Sequence, residues 1–115
     1  MVAPSHHLAG RDGEALVVTC PPELTHDSGE ALLRAVKRHL PNRDHATCIL
    51  DMSAVGLISS IGITVLLQAD EHCADRAAKL YIAGLPERQR QFLRMLKLDA
   101  KFTFVPSVDE ALALG

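Results

Sequence analysis

The sequence predicts a single α/β domain in which a mixed sheet of four or five strands is accompanied by about four helices. Residues 47–52 have the length and apolar content of a buried strand, and from Ser60 onward apolar residues recur at helical spacing. A second strand-like run, residues 79–84, is again followed by a helical pattern that begins near Pro86. Strands that alternate with helices are typical of an α/β domain with a partly parallel sheet.

The N-terminal third predicts a hairpin and a first helix. Residues 10–13 read Gly-Arg-Asp-Gly, a turn signal that would join the segment near Leu8 to a strand over residues 15–20. A Pro-Pro pair ends that strand, and a capping box from Asp27 to Glu30 predicts the start of the helix. The expected apolar face of this helix consists of Leu32, Leu33, Val36 and Leu40.

The helix after the central strand has a pair of serines at its start. We expect Ser59 or Ser60 to be its N-cap, because a hydroxyl there satisfies one of the unpaired N–H groups of the first turn. The same place favours negative charge, since the free N–H groups and the helix dipole point at it. A serine here therefore suits both a cap and a phosphate acceptor.

The C-terminal third predicts two further helices and a strand between them. Pro86 suits the first turn of the third helix, which we expect to carry Phe92, Leu93 and Leu96 inward. A short strand is expected over residues 101–105, and a capping box from Ser107 to Glu110 predicts the last helix. From all these patterns we expect the core to include Val17, Leu33, Ile49, Leu50, Ile61, Leu66, Ile82, Phe92 and Leu96.

Size and charge exclude several classes of function. We expect residues 1–115 to form one domain, with residues 1–7 as a mobile terminus. The net charge of −2 argues against a broad basic surface for nucleic acid. No stretch approaches the roughly 20 apolar residues that cross a bilayer, and the N-terminus lacks the basic and apolar regions of a signal peptide. We therefore expect a cytoplasmic protein that neither binds nucleic acid nor inserts into a membrane.

The metal-binding residue types form no recognisable ligand set. The three cysteines lie far apart in apolar patterns, so we expect them to be small buried side chains kept reduced. The six histidines are not spaced as ligands either. We expect no metal and no cofactor. The cysteines are Cys20, Cys48 and Cys73, and the histidines are His6, His7, His26, His39, His45 and His72.

The segment from the central strand to the helix resembles the signature of the STAS domain, the fold of bacterial anti-sigma factor antagonists. In that family a strand ends in Asp-x-Ser-Gly-Val, and Asp-Ser-Ser-Gly-Leu-Gly then opens a helix. Asp51, Ser53 and Val55 match the first part, with Ala54 in place of the glycine. The order of the predicted elements extends the resemblance across most of the chain.

In the second part of the signature the match is residue-specific but partial. Ser60 falls on the serine that the family phosphorylates, and Gly62 matches the following glycine. Ser59 stands where the family has aspartate, and Thr25 stands where family members often carry another aspartate. A kinase or Mg²⁺ that depends on those carboxylates would bind less well, so a non-phosphorylated or differently regulated branch is the alternative. The remaining departures are Ile61, Ile63 and Thr64.

The resemblance implies a regulatory module that binds an anti-sigma factor with serine kinase activity and is switched by phosphorylation at Ser60, or less favourably at Ser59. We expect no catalytic residue, and the oligomeric state stays open between a monomer and a weak dimer. The rival interpretation is a non-phosphorylated scaffold or transporter-accessory subunit. The residues expected to bind the partner are Asp51, Ser53, Ser59, Ser60 and Gly62, with weaker candidates at Thr25, Arg88 and Arg90.

Each of these residues also has a purely structural interpretation. Asp51 would hydrogen-bond the following loop, and the serines would only cap a helix. Gly62 within a first helical turn costs up to about 1 kcal/mol relative to alanine, which suggests close approach of another backbone, internal or from a partner. Arg88, Arg90 and Arg94 would form a solvated helix face. Enzymatic use of Ser60 is disfavoured, because no histidine has an evident route to it and a Gly-x-Ser-x-Gly elbow is missing.

Overall fold

The computed structural model of the protein describes residues 4–10, 13–42 and 46–114. These residues form a five-stranded mixed sheet, a separate two-stranded sheet and four helices, which confirms the predicted fold class. The strands are β1 (Ser5–Ala9), β2 (Ala15–Thr19), β3 (Glu23–Leu24), β4 (Thr47–Asp51), β5 (Leu57–Ile58), β6 (Lys79–Ala83) and β7 (Thr103–Val105). The helices are α1 (His26–His39), α2 (Ser60–Asp75), α3 (Glu87–Met95) and α4 (Val108–Leu114).

The main sheet has the strand order β1-β2-β4-β6-β7, in which β1 alone runs antiparallel to its neighbour. Leu8 pairs with Leu16, which confirms the predicted hairpin, although residues 11 and 12 of its turn lie outside the described residues. Of the terminus expected to be mobile, residues 5–7 lie in β1, and residues 1–3 lie outside the described residues, as does His45.

The sheet separates two apolar clusters because successive strand side chains point to opposite faces. On one face Leu16, Val18, Leu50 and Ile82 pack with α1, α2 and Leu93 of α3. On the other face the alternate residues of the same strands pack under α4. Those residues are Ala15, Val17, Ile49, Tyr81 and Ala83. Strands β2 and β4 are therefore buried on both sides, as expected for the central strands of a largely parallel sheet.

Three of the nine predicted core residues are exposed, so those predictions are wrong. Ile61 is 47% exposed, Phe92 37% and Leu96 46%. Ile61 lies in the first turn of α2, where side chains lean toward the helix N-terminus and beyond the end of the core. In α3 the buried positions are Gln89 and Leu93, one turn apart, so this short helix touches the core along a narrow stripe. Leu33 is partly buried, and the other five predicted residues are buried.

The start of α1 also differs from the prediction. Its N-cap is Thr25 rather than Asp27, and Ser28 takes the position at which the capping box would place Glu30. The backbone N–H of Thr25 donates to Ser28 Oγ at 2.9 Å, and Ser28 Oγ donates to the Glu23 carbonyl at 2.8 Å. The hydroxyls of Thr25 and Ser28 satisfy the helix end in place of the predicted Asp27–Glu30 box, and periodicity alone does not choose between the two.

Candidate functional site

The segment that joins β4 to α2 begins with a side-chain hydrogen bond at the carboxyl end of β4. Asp51 Oδ1 accepts from the backbone N–H of Ser53 at 3.1 Å and from its hydroxyl at 2.8 Å. The backbone N–H of Val55 then donates to the Met52 carbonyl at 3.1 Å. The Asp51 carboxylate therefore shapes the first turn of the loop, which is the structural role that its position predicts.

The second half of the loop is held by the small sheet. Strand β5 pairs in parallel with β3, and the Gly56 and Leu57 N–H groups donate to the Pro22 carbonyl at 2.8 and 3.2 Å. The Ser59 N–H donates to the Leu24 carbonyl at 3.1 Å. These bonds fix the point at which α2 starts, so the exposed residues around that point have a defined geometry.

Ser59 is the N-cap of α2, and its hydroxyl is occupied. Ser59 Oγ accepts from the Gly62 N–H at 3.1 Å and donates to the Leu24 carbonyl at 3.2 Å. The side chain is half-buried between α2 and β3. A phosphate on this oxygen would remove the hydrogen that Ser59 donates to the Leu24 carbonyl, so the structure gives Ser59 the role of a cap.

Ser60 is the first residue of α2, and its hydroxyl is exposed. Within the described part of the chain, Ser60 Oγ makes no hydrogen bond, while the Ser60 carbonyl accepts from Thr64 Oγ1 at 3.3 Å. The N–H groups of Ser60 and Ile61 have no partner among the described residues, and the first turn carries no acidic side chain. Negative charge is favoured at such a helix start.

Gly62 is buried against another backbone of the same chain. A Cβ at this position would lie 2.6 Å from the Leu24 carbonyl oxygen and 3.1 Å from Ile58 Cγ2. The close approach inferred from the sequence is therefore internal, between α2 and the β3–β5 sheet. Thr25 follows Leu24 directly and caps α1, so Thr25, Ser59 and Gly62 meet around the Leu24 carbonyl.

The three arginines of α3 do not share one face. Arg88 lines a recess of about 280 Å³ between the β5 loop and α3, together with Leu57 and Phe92. Arg90 lies over the Phe104 ring, with its guanidinium carbon 4.7 Å from the ring centroid. Arg94 pairs with Glu87 at 3.7 Å. The single polar face expected from the sequence is thus divided into three environments.

Two features of this surface were not predicted from the sequence. Gln89 is buried, and its side-chain N–H donates to the Gly56 carbonyl at 2.9 Å, which ties α3 to the loop before α2. Beside this bond Leu57 is 51% exposed, near Phe92 in the same recess. The signal for Gln89 is its place four residues before Leu93, on the inward stripe of α3.

The cysteines are buried and free, as expected. Burial, and to a lesser degree the Asp51 carboxylate, raises the pKa of Cys20 to about 12. The hydrogen bond between Cys48 and Cys73, together with burial, raises the pKa of Cys48, and the same bond lowers the pKa of Cys73. Among the described residues there is no group of three or more His, Cys, Asp or Glu side chains arranged to hold a metal ion. No helix in the described ranges is long and apolar enough to cross a bilayer.

Comparison with known proteins gives one family. The sequence model of the STAS domain matches residues 8–111. No curated protein matches the sequence significantly.

Solved structures share the fold at low sequence identity. An anti-sigma factor antagonist (STAS) domain protein from Planctomyces limnophilus has a TM-score of 0.83 at 13% identity, covering 99% of this chain and 98% of that one. The anti-sigma factor antagonist SpoIIAA in its unphosphorylated form has a TM-score of 0.67 at 15% identity, with 95% and 93% covered. The murine solute carrier 26 family member A9 anion transporter has a TM-score of 0.73 at 19% identity over 88% of this chain, which spans 17% of the transporter's length.

Proposed function

The chain belongs to the STAS domain family, and from that premise we propose that it is a regulatory module that binds a partner protein through the surface around the start of α2 and is switched by a phosphate on Ser60. The proposed partner is an anti-sigma factor with serine kinase activity. The module acts in the cytoplasm as a monomer or weak dimer, and it acts by binding rather than by catalysis.

One observation carries this proposal: of the two adjacent serines, Ser60 alone has an exposed hydroxyl that makes no hydrogen bond in the described part of the chain. A kinase can reach that oxygen without breaking a cap. The neighbouring side chains Leu57 and Ile61 are large, apolar and exposed. Exposed apolar side chains beside a fixed helix start are suited to burial against another protein.

The expected size of the switch follows from charge. A phosphate adds about −1.5 to −2 charges at pH 7. Against one like charge of the partner at about 4 Å, with an effective dielectric near 20, the repulsion is on the order of 4 kcal/mol. That energy corresponds to roughly a thousandfold in affinity. The fold itself would tolerate the phosphate, because the helix start favours negative charge.

Two observations support a binding role over serine chemistry. A serine nucleophile needs an adjacent base, and no histidine hydrogen-bonds Ser59 or Ser60 within the described ranges. The unused hydroxyl is on the surface at the end of a helix, not inside a closed pocket. We therefore assign no catalytic residue.

The test combines phosphorylation with binding. An anti-sigma factor kinase from the same genome is incubated with ATP and the protein, and the product is analysed by mass spectrometry. We expect one phosphate on Ser60 and none in Ser60→Ala, which should still bind the kinase. Ser60→Asp should bind at least about tenfold more weakly, since even one added charge in an interface costs more than 1.4 kcal/mol.

A matched control separates local charge from general acidity. Ser107 is exposed before α4, and its Oγ accepts from the Glu110 N–H at 3.2 Å, so Ser107→Asp keeps a cap while adding the same charge elsewhere. Ser107→Asp should bind the kinase as the wild type does. Equal losses in Ser60→Asp and Ser107→Asp, or a phosphate mapped to another residue, would refute the proposed switch.

A constitutive scaffold or transporter-accessory subunit is the second candidate. It is favoured by the absence of an acidic residue in the first turn of α2, where Ser59 replaces the aspartate of the family signature. A transporter also occurs among the proteins with this fold. For a scaffold, a confirmed partner would bind wild type and Ser60→Asp equally, and the protein isolated from cells would carry no phosphate.

A further inference from the structure

A second recess lies at the carboxyl edge of the main sheet, away from the start of α2. It has a volume of about 410 Å³, and its lining residues come from the ends of β6 and β7 and from α3. They are Gly84, Leu85, Arg90, Phe104, Val105 and Pro106. The recess opens at the carboxyl ends of the parallel strands β6 and β7, and its volume lies within the range of small-molecule sites, about 300–1,000 Å³.

The walls of this recess combine apolar side chains with one cation. Leu85 and Val105 are buried, and Phe104 is half-buried. The Arg90 guanidinium lies over the Phe104 ring at 4.7 Å, which limits the conformations of an otherwise flexible side chain. A site of this composition presents a positioned charge next to an apolar surface.

The charge of Arg90 is not neutralised by a carboxylate in the described part of the chain. The ion pairs there join His26 to Asp27 and Glu30, Arg94 to Glu87, and Lys101 to Asp70. Arg94, one turn after Arg90 in α3, thus has an acidic partner, and Arg90 does not. A guanidinium with free donors binds carboxylate and phosphate oxygens in a bidentate manner.

We propose that this recess is a binding site for a small organic anion, in which Arg90 binds a carboxylate or phosphate group and Leu85, Phe104 and Val105 contact an apolar body. This site is separate from the partner surface at Ser60 and does not depend on the proposed switch. The recess also adjoins the β4–α2 loop, since a Cβ at Gly84 would lie 3.0 Å from Ser53 Cβ.

The test is an NMR titration of the ¹⁵N-labelled protein with four probes. Benzoate and phenyl phosphate carry an oxyanion on an apolar body, benzamide is the neutral isostere of benzoate, and inorganic phosphate has no apolar body. We expect benzoate and phenyl phosphate to give saturable shifts at Gly84, Leu85 and Val105 at millimolar concentration, and benzamide and inorganic phosphate to bind at least about tenfold more weakly, because each lacks one of the two contacts.

Two arginine variants make the assignment specific. Arg90→Gln should lower the affinity for benzoate by about tenfold or more, since the charged hydrogen bond is removed. Arg88→Gln, on the other side of the same helix, should leave the affinity unchanged. Arg88 is exposed and Arg90 is half-buried, and a retained unfolding midpoint shows that either variant is folded.

Three results would overturn the proposal. One is the absence of saturable shifts for both benzoate and phenyl phosphate. Another is binding that persists in Arg90→Gln. A third is a set of shifts centred on the recess of α1 formed by Glu30, Leu33, Arg34, Lys37 and Arg38, which would indicate unspecific attraction of anions to a basic surface. Binding of phenyl phosphate without benzoate would support the site and restrict its ligand to phosphates.

Discussion

Helices α2 and α3 border the same surface, yet they are held in different ways. Helix α2 packs against the sheet and against α1 on the same face of the sheet, and its start is fixed at the Leu24 carbonyl by Ser59 and Gly62. Helix α3 touches the core through Gln89 and Leu93 and leaves Phe92, Met95 and Leu96 exposed. The buried residues of α2 are Gly62, Ile63, Val65, Leu66, Ala69 and Cys73.

The difference in packing makes α2 a rigid support and leaves α3 with an accessible outer surface. A helix buried along a broad face cannot move without opening the core, since protein interiors are close-packed. A helix that contributes one stripe can carry large apolar side chains on its outside at little cost to the fold. The proposed partner surface therefore combines the fixed start of α2 with two exposed side chains, Leu57 on the β4–α2 loop and Phe92 on α3.

The largest expected effect contrasts two leucines. Leu66 of α2 is fully buried, so Leu66→Ala should lower the free energy of unfolding by about 2–5 kcal/mol through lost burial and a cavity. Leu96, at the end of α3, is exposed, and Leu96→Ala should change it by less than about 0.5 kcal/mol. Urea titration of the purified variants measures both. Similar losses in the two variants would mean that α3 is packed as tightly as α2.

A pair of glycines tests the close approach between α2 and β3. In Gly62→Ala the added methyl would lie 2.6 Å from the Leu24 carbonyl oxygen, and we expect a loss of about 1–3 kcal/mol despite the better helix propensity of alanine. Gly56 has open space where its Cβ would be, so Gly56→Ala is the matched control and should stay within about 0.5 kcal/mol. Thermal unfolding of both variants gives the comparison. A Gly62→Ala protein as stable as Gly56→Ala would show that α2 is not fixed there.

The smallest expected effect distinguishes the two serines. Ser59→Ala removes the N-cap bond to Gly62 and the bond to Leu24, so a loss of about 1 kcal/mol is expected. Ser60→Ala removes an exposed hydroxyl without a hydrogen bond in the described residues, and its stability should stay within about 0.5 kcal/mol of the wild type. Urea denaturation of the two purified variants measures the free energy of unfolding of each. If Ser60→Ala were instead the less stable variant, Ser60 would be the cap and Ser59 would carry the free hydroxyl.

Much of the fold was predictable because its strongest signals are local. The central strand was predicted over residues 47–52 and is observed as Thr47–Asp51, and α2 begins at Ser60 as expected. A continuous apolar run followed by a capped helical pattern has few other solutions in a chain of this size. The hairpin with Leu8 follows in the same way from a turn signal beside an apolar strand.

The surface was less predictable because exposure depends on what a helix packs against. Apolar spacing placed Phe92, Leu93 and Leu96 inside, but of these only Leu93 is buried, and Gln89 shares the core side of α3 with it. Gln89 is acceptable there because the Gly56 carbonyl, distant in sequence, takes its hydrogen bond. No local pattern contains that partner.

The sequence by itself determined the α/β class, the positions of the central strand and of α2, and the pair of serines at the start of that helix. These follow from periodicity and capping, which act over a few residues. The tertiary structure alone decided which serine is free. Ser59 is occupied because β3 brings the Leu24 carbonyl, 35 residues away, to its hydroxyl, and Ser60 faces outward. A contact between distant segments depends on how strands β3 and β5 pair, and that pairing has no local signature.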